Sequence, residues 1–481
     1  MVINQIGYVA TLAALGGLIA CACGGVRRES VGLAAFFELS FGLRAAAVFA
    51  NEAFNLLPQK FAGDIVLGLI NQPGGVWSLF HRLVVYGRDT TNPLKFVPEA
   101  IANIPGIRVF ENSYVILDLT NCLVGAISGL LVFAYLRRLI GVNAAIFGML
   151  LTSFYPAAFN FSIFGVRDIF LYLCILLNIA SIFWLSMRSD HRYANILVYV
   201  ISMAFLYVMR SAFAPFMVVL PMFVLVRGVL KRLSGVEDPR RRLLLSGAVA
   251  VVATVTTGMA LAAGYWIVLH HLGIGQAGRP DRVFRGYVEA RASCGTPYAQ
   301  ARDFAHSIWS RCVPIRHVAG DRARGVASQY IPFAIYKHTP LILREFVQEI
   351  GFLVIPLPWQ IDRWSRALAL ADSAFVIATL CAAWRACQMS PRRLENPLQT
   401  LSEGLLLSFV LCWLGFGLLV TDAGNAFRLR LTIEPFAIFG ASLYLSRLTW
   451  LNRATDQALE RLYASVPGKF IRWHGRGRSA S

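Results

Sequence analysis

Long apolar segments alternate with short polar ones along most of this chain. The hydrocarbon core of a bilayer is about 30 Å thick, so a spanning helix needs about 20 mostly apolar residues. Segments of this kind follow one another almost to the C-terminus. The pattern therefore predicts about eleven membrane-crossing helices. We expect them at residues 5–23, 31–50, 113–136, 142–160, 168–187, 193–210, 212–231, 243–270, 364–385, 401–420 and 429–449.

Two longer polar segments, residues 51–112 and 271–345, interrupt this succession. A third irregular piece, residues 346–360, is apolar but contains Pro356 and Pro358. It is too short and too broken to span, so we expect a re-entrant or interfacial element.

The predicted fold class is accordingly all-α: a polytopic integral membrane helical bundle with two larger loops on one side. Residues 1–450 are expected to form a single transmembrane body that includes both loops, and residues 451–481 a basic tail.

Composition agrees with a membrane protein, since 57% of the residues are hydrophobic and only 15% are charged. A soluble domain carries about 25% charged residues. The formal net charge of +19 is also typical of nucleic-acid-binding proteins. Here, however, the basic residues cluster in short loops between apolar segments, where they orient a membrane protein and meet anionic lipid head groups. We therefore expect no nucleic-acid partner.

The basic residues of the short loops fall on one side of the predicted bundle, and the positive-inside rule makes that side cytoplasmic. The N-terminus, both large loops and residues 421–427 then lie outside. We expect a multi-pass protein of a bacterial inner membrane, with a cytoplasmic C-terminus and periplasmic loops. The cytoplasmic groups are Arg27–Arg28, Arg137–Arg138, Arg188 with Arg192, Arg227 to Arg242, Arg385 with Arg392–Arg393, and the tail from Arg447 to Arg478.

Familiar catalytic motifs are missing from the sequence. It has no phosphate-cradling glycine loop, no H-E-x-x-H and no G-x-S-x-G, which argues against ATP-driven transport, zinc hydrolysis and serine hydrolysis. No metal-ligand set is visible, so no cofactor is predicted, although a divalent metal stays open. Seven of the nine cysteines lie in or beside apolar segments, and no C-x-x-C pair occurs. Cys294 and Cys312 share a predicted external loop and are candidates for a disulfide.

Acidic residues near the external face are the first candidates for chemistry, because ionisable groups at membrane depth are costly unless they are paired or hydrated. Asp64, with Glu52 upstream, could act as a general base on an acceptor hydroxyl. From spacing alone, a solvated loop acid or a partner for Lys60 is the favoured interpretation. Arg167 and Asp168 begin the fifth predicted span. Asp168 could simply complement the helix dipole, and Arg167 could pair with it or bind a phosphate.

External arginines form the second group of candidates. Arg428 and Arg430, two positions apart at the start of the last span, could both face a cleft and clamp a phosphate. The alternative is snorkelling to the membrane interface. Glu434 lies four residues after Arg430, which is its natural partner. Arg210 could hold an anionic lipid or merely snorkel.

Lys337 belongs to a charged amphipathic stretch ahead of the Pro356–Trp359 element. Trp359 is typical of a head-group anchor. This stretch could form one wall of a lipid-binding groove.

The order of these features resembles the polytopic GT-C glycosyltransferases, multispan enzymes that use polyprenyl-phosphate-linked sugars. The resemblance covers roughly residues 40–440. It rests on an acid in the first large external loop (Asp64), the segment Asn121 to Arg138, Pro156 followed by Arg167–Asp168, Phe352 to Trp359, and Arg428 to Pro435.

The resemblance implies transfer of a sugar from a polyprenyl-phosphate-linked donor to a lipid or glycan acceptor at the periplasmic face, in cell-envelope or exopolysaccharide assembly. It implies two catalytic acids, Asp64, which takes the acceptor proton, and Asp168, which helps to shape the pocket. The donor phosphate would be bound by Arg167, Arg210, Arg428 and Arg430, with support from Glu52, Glu434 and Lys337.

Two other functions stay open. An O-antigen or exopolysaccharide polymerase or ligase also joins polyprenyl-linked sugars and depends on external arginines, but it should tolerate loss of Asp64. A transporter of lipid-linked saccharides should show paired repeats or helices broken at the membrane midplane. Neither feature is evident in the sequence.

Overall fold

The computed structural model describes ten stretches of the chain, and they contain thirteen helices, a short helical segment at 349–354 and no strand. This confirms the all-α fold predicted from the sequence. The described stretches are residues 2–24, 27–54, 114–163, 168–188, 190–210, 214–233, 349–354, 364–389, 396–419 and 423–464. The helices are α1 (Val2–Cys23), α2 (Arg27–Phe54), α3 (Tyr114–Leu139), α4 (Val142–Phe154), α5 (Pro156–Ser162), α6 (Asp168–Met187), α7 (Arg192–Arg210), α8 (Ala214–Met217), α9 (Val219–Leu233), α10 (Trp364–Cys387), α11 (Asn396–Leu419), α12 (Ala423–Leu445) and α13 (Thr449–Ala464).

Within these stretches, six helices are long and apolar enough to cross a membrane, and α4 with α5 makes a seventh if the pair is one bent span. The predicted total of about eleven includes residues 243–270, which lie outside the described residues, so that total stays a prediction. The six segments are Ile6–Cys23, Glu29–Phe54, Asp118–Leu139, Asp168–Met187, Ala367–Cys387 and Pro397–Phe416.

The predicted span 142–160 is not one straight helix, which corrects the sequence interpretation. The chain leaves helical geometry at Tyr155, whose φ of −58° and ψ of 120° are those of an extended residue. Pro156 explains the break, since a proline disfavours helical geometry in the residue before it and can itself start a helix. Helices α4 and α5 meet at an angle of 55°.

Helix α12 lies at the centre of the bundle and packs against α4, α6, α10 and α11. Every residue from Leu429 to Leu443 is buried. This helix is not among the six candidate spans, because it carries two arginines and a glutamate among its apolar residues. Its charged side chains can be accommodated because they are surrounded by protein.

Several helix ends meet through basic side chains. Arg137 at the end of α3 forms a 2.6 Å ion pair with Glu29 at the start of α2. Arg188, just after α6, donates to the backbone carbonyl of Arg138. The arginines predicted to share the cytoplasmic side thus lie near one another at these ends of α2, α3 and α6. Which side of the membrane they face stays a prediction.

Candidate functional site

Asp168 and Arg428 form a two-point ion pair between α6 and α12. Arg428 Nε donates to Asp168 Oδ1 at 2.7 Å, and its Nη2 lies 2.6 Å from Oδ2. The Asp168 side chain is fully buried, whereas 19% of the Arg428 side chain is exposed. This parallel arrangement is the fork geometry in which arginine binds carboxylates and phosphates most strongly. The structure thus brings together two residues that the sequence analysis proposed separately.

Local sequence explains how each partner is placed. Asp168 is the first residue of α6, where a carboxylate is favourable beside the exposed amide groups of the helix. Arg428 lies in the second turn of α12 and follows Phe427, whose ring packs against Phe161 of α5 at 5.3 Å. The ion pair and this aromatic contact together hold α12 against α5 and α6.

Arg430 does not share the environment of Arg428, which corrects the prediction that both face one cleft. Residues two positions apart on an α-helix point about 200° away from each other. The Arg430 side chain is fully buried, and its Nε lies 2.9 Å from Asp372 Oδ2 on α10. Its Nη1 donates to Ser373 Oγ at 2.6 Å and to the backbone carbonyl of Leu353 at 2.8 Å.

Glu434 is also fully buried, and it accepts a hydrogen bond from Thr379 of α10. Arg430 was its expected partner, but Arg430 forms an ion pair with Asp372. Two carboxylates and one guanidinium therefore lie inside the bundle between α10 and α12. Asp372 was not among the residues predicted from the sequence, although an acid in the middle of a predicted span was a usable signal.

Arg44 is a second buried charged residue that was not among the candidates predicted from the sequence. It lies in α2, within the predicted span 31–50, and is fully buried. Its guanidinium donates to Ser40 of the same helix, to Ser162 Oγ at 2.9 Å, and to the backbone carbonyl of Ser153. It also lies 5.0 Å from the centre of the Phe159 ring. An arginine in a predicted span was again the available signal.

For the other candidates, the described residues show no contact with this site. Glu52 is exposed in the last turn of α2, and Arg210 ends α7 with a side chain outside the described set. The remaining candidates lie outside the described residues, so their roles stay predictions: Asp64, Arg167, Lys337, Cys294 and Cys312. Within the described stretches, no group of three or more His, Cys, Asp or Glu residues could hold a metal ion.

The described helices define a polytopic helical membrane protein with ionisable side chains gathered inside its bundle. Residues 101–260, which are 160 of the 481 residues, match the family model of dolichyl-phosphate-mannose-protein mannosyltransferase. This is a GT-C type membrane glycosyltransferase family, so the expected resemblance is confirmed over this segment. The match includes α3 to α9 and Asp168, and it supports a membrane glycosyltransferase that uses a lipid-linked donor. No curated protein and no solved structure gives a significant match.

Proposed function

We propose that this protein transfers a sugar from a polyprenyl-phosphate-linked donor to a lipid or glycan acceptor at the periplasmic face of a bacterial inner membrane. Cell-envelope or exopolysaccharide assembly would use such a step. The observation that carries the proposal is the two-point pair of Asp168 and Arg428, in a chain whose residues 101–260 match a GT-C type family.

Arg428 is the residue best suited to the donor phosphate. A guanidinium has five N–H donors in a fixed fork. The Nε of Arg428 donates to Asp168 Oδ1 and its Nη2 lies beside Oδ2, and the other N–H groups are available to phosphate oxygens. The exposed part of the side chain gives a phosphate access, and Asp168 holds the fork in a fixed orientation. A fixed cation of this kind stabilises the negative charge that develops on the leaving phosphate.

The transfer step balances without a further reactant. The bond between the anomeric carbon and the donor phosphate oxygen breaks, and its electron pair stays on the phosphate. The acceptor oxygen forms the new bond to the same carbon from the opposite face. Its proton passes to Asp64, the proposed general base. Arg167, Arg210 and Lys337 are the proposed additional cations along the path of the donor.

Arg430 has a different part in this proposal. Its side chain is buried, and it already binds Asp372, Ser373 and the Leu353 carbonyl. We propose that Arg430 and Glu434 together hold α10 and α12 in position behind the site. Glu52, exposed at the end of α2, would support the external loop that carries Asp64.

The test uses the purified full chain in lipid nanodiscs with polyprenyl-phosphate-linked sugars, including the mannose form. Release of polyprenyl phosphate and labelling of an added membrane acceptor are measured. We expect transfer by the wild-type chain, loss of transfer in Asp64→Asn, and a large fall in kcat in Arg428→Gln. Arg453→Gln, which changes an exposed arginine of α13, is the matched control and should keep wild-type activity.

Other outcomes separate the alternatives. Full activity of Asp64→Asn, with an inactive Arg428→Gln, would favour a polymerase or ligase. The break between α4 and α5 is a feature that transporters also show. Movement of an intact lipid-linked saccharide across the bilayer, without release of polyprenyl phosphate, would replace the transferase proposal with a transporter.

A further inference from the structure

Arg44 is a buried cation in the middle of a candidate membrane span. Its side chain is fully buried in α2, about ten residues before the end of that helix. Among the described residues no carboxylate forms an ion pair with it. An ionised side chain at this depth is costly unless polar groups compensate it. The compensation here comes from hydroxyl and carbonyl oxygens, so the contacts of Arg44 indicate what it holds in place.

Those contacts join the two sides of the broken helix. The Ser153 carbonyl belongs to the last turn of α4, where carbonyl groups lack helical partners and carry partial negative charge. Ser162, which accepts from Arg44 Nε at 2.9 Å, is the last residue of α5. Phe159 of α5 lies under the guanidinium. A single side chain of α2 therefore fixes the end of α4 and the end of α5.

Helix α5 and the residue before it pack beside the Asp168–Arg428 and Asp372–Arg430 pairs through two aromatic contacts. Phe161 packs against Phe427, which precedes Arg428 in α12. Tyr155, at the break before α5, stacks on Phe375 at 5.1 Å, three residues after Asp372 in α10. Helix α5 thus lies between Arg44 on one side and the charged residues of α10 and α12 on the other.

A glycine of α3 provides independent evidence that this junction is tightly built. A Cβ atom at Gly125 would lie 2.7 Å from Ser162 Cβ and 3.0 Å from Arg44 Nε. Cys122, one turn earlier, donates from its Sγ to the Ser162 carbonyl at 3.3 Å. Helix α3 therefore packs directly over the contact between Arg44 and Ser162, and no larger residue fits at position 125 without moving it.

We propose that Arg44 is a positioning residue of the sugar-transfer site. It fixes the bend between α4 and α5, and through α5 it sets the position of Arg428 and Asp168. This inference rests on the proposed function. A displacement of about 1 Å at a reacting centre can cost roughly 100-fold in rate, so loss of the Arg44 contacts acts on kcat. Donor affinity changes little, because the Arg44 side chain is fully buried and its N–H groups already donate to Ser40, Ser153 and Ser162.

The experiment compares three substitutions with a matched control in the full chain in nanodiscs. Arg44→Met removes the charge and every donor. Arg44→Lys keeps the charge but has no planar fork. Gly125→Ala disturbs the contact without changing Arg44. Gly42→Ala is the control, since a Cβ at this position of α2 meets nothing within 4 Å.

Two measurements are made on each folded variant. The first is the separation of kcat from KM for the lipid-linked donor. The second needs no activity: cysteines are introduced as Phe161→Cys and Phe427→Cys, and their disulfide is quantified by mass spectrometry as a measure of the α5–α12 contact. We expect Arg44→Met and Gly125→Ala to lower kcat by about 10- to 100-fold with a nearly constant KM. Both should reduce the cross-link, and Arg44→Lys should recover part of each signal.

The outcomes distinguish this inference from the proposed function. Wild-type kcat and cross-linking in Arg44→Met would overturn the inference, and so would a raised KM with unchanged kcat. If Arg44→Met does not fold, the same criteria apply to Arg44→Lys and Gly125→Ala. If the wild-type chain transfers no sugar, the proposed function fails, and the positioning role in sugar transfer fails with it. The cross-link then still reports whether Arg44 holds α5 against α12.

Discussion

Arg428 and Asp168 are 260 positions apart in the chain, yet their side chains meet in two parallel contacts of 2.7 and 2.6 Å. The pair ties the first turn of α6 to the start of α12. Asp168 is fully buried and Arg428 is partly exposed, so the cation is the member of the pair that a ligand can reach. Structure and proposed chemistry thus depend on the same contact.

Loss of the Asp168 charge should weaken both the fold and the activity. Asp168→Asn keeps the shape of the side chain but leaves Arg428 with a neutral partner. We expect a destabilisation of about 2 kcal/mol, the range for hydrogen bonds to charged groups, and a reduced transfer rate. Thermal unfolding in detergent of Asp168→Asn, Arg428→Gln and the double variant measures the coupling. Additive effects of the two single changes would contradict a direct pair.

The buried pair of Arg430 and Asp372 should respond differently to single and double replacement. Arg430→Met leaves an uncompensated carboxylate inside the bundle, and we expect a loss of about 3–5 kcal/mol. The double variant Arg430→Met with Asp372→Leu removes both charges and should recover much of this loss. Denaturant or thermal unfolding of the two variants and of the wild-type chain checks the order. A double variant no more stable than Arg430→Met would show that the pair does not act as a unit.

Gly440 should be required for the close packing of α12 on α10. A Cβ at this position would lie 2.7 Å from Ala383 Cβ and 3.2 Å from Ala383 Cα, so the two helices would have to separate. We expect Gly440→Ala to destabilise the protein by about 1–3 kcal/mol, as overpacking does in well-packed cores. Gly228→Ala is the control, because a Cβ there meets nothing within 4 Å. Equal melting temperatures for the two variants would contradict this account.

Reporter fusions can test the orientation, since the distribution of arginines predicts a cytoplasmic C-terminus. A fluorescent protein fused after Ser481 should fold and fluoresce. Alkaline phosphatase, which needs the oxidising periplasm, should be inactive there and active when inserted within residues 271–345. The opposite result would reverse the predicted topology, and with it the periplasmic location of the proposed chemistry.

The sequence predicted individual helices better than the contacts between them. The span expected at residues 168–187 coincides with α6, Asp168–Met187. A long apolar segment forms a helix for local reasons, since every backbone group must find its hydrogen bond inside the segment. Pro156 was visible in the predicted span 142–160, but the 55° bend depends on where α5 packs, which no local pattern specifies.

The sequence indicated individual residues of the candidate site, but not the contacts between them. Asp168, Arg428 and Arg430 stand out in the sequence because charges near membrane depth are rare. Their pairing was not predictable: Arg428 binds Asp168, whereas Arg430 turns inward to Asp372. Arg44 was visible as an arginine within a predicted span, but its partners are hydroxyl and carbonyl oxygens that no sequence pattern identifies.

The sequence by itself determined that this chain is a polytopic helical membrane protein, since the apolar segments leave no other way to satisfy the backbone within a bilayer. It also determined which ionisable residues need an explanation. Only the tertiary structure decided which charges meet, which arginine stays accessible and which ones support the bundle. These contacts depend on how the helices rotate and pack. Packing brings residues hundreds of positions apart within hydrogen-bonding distance.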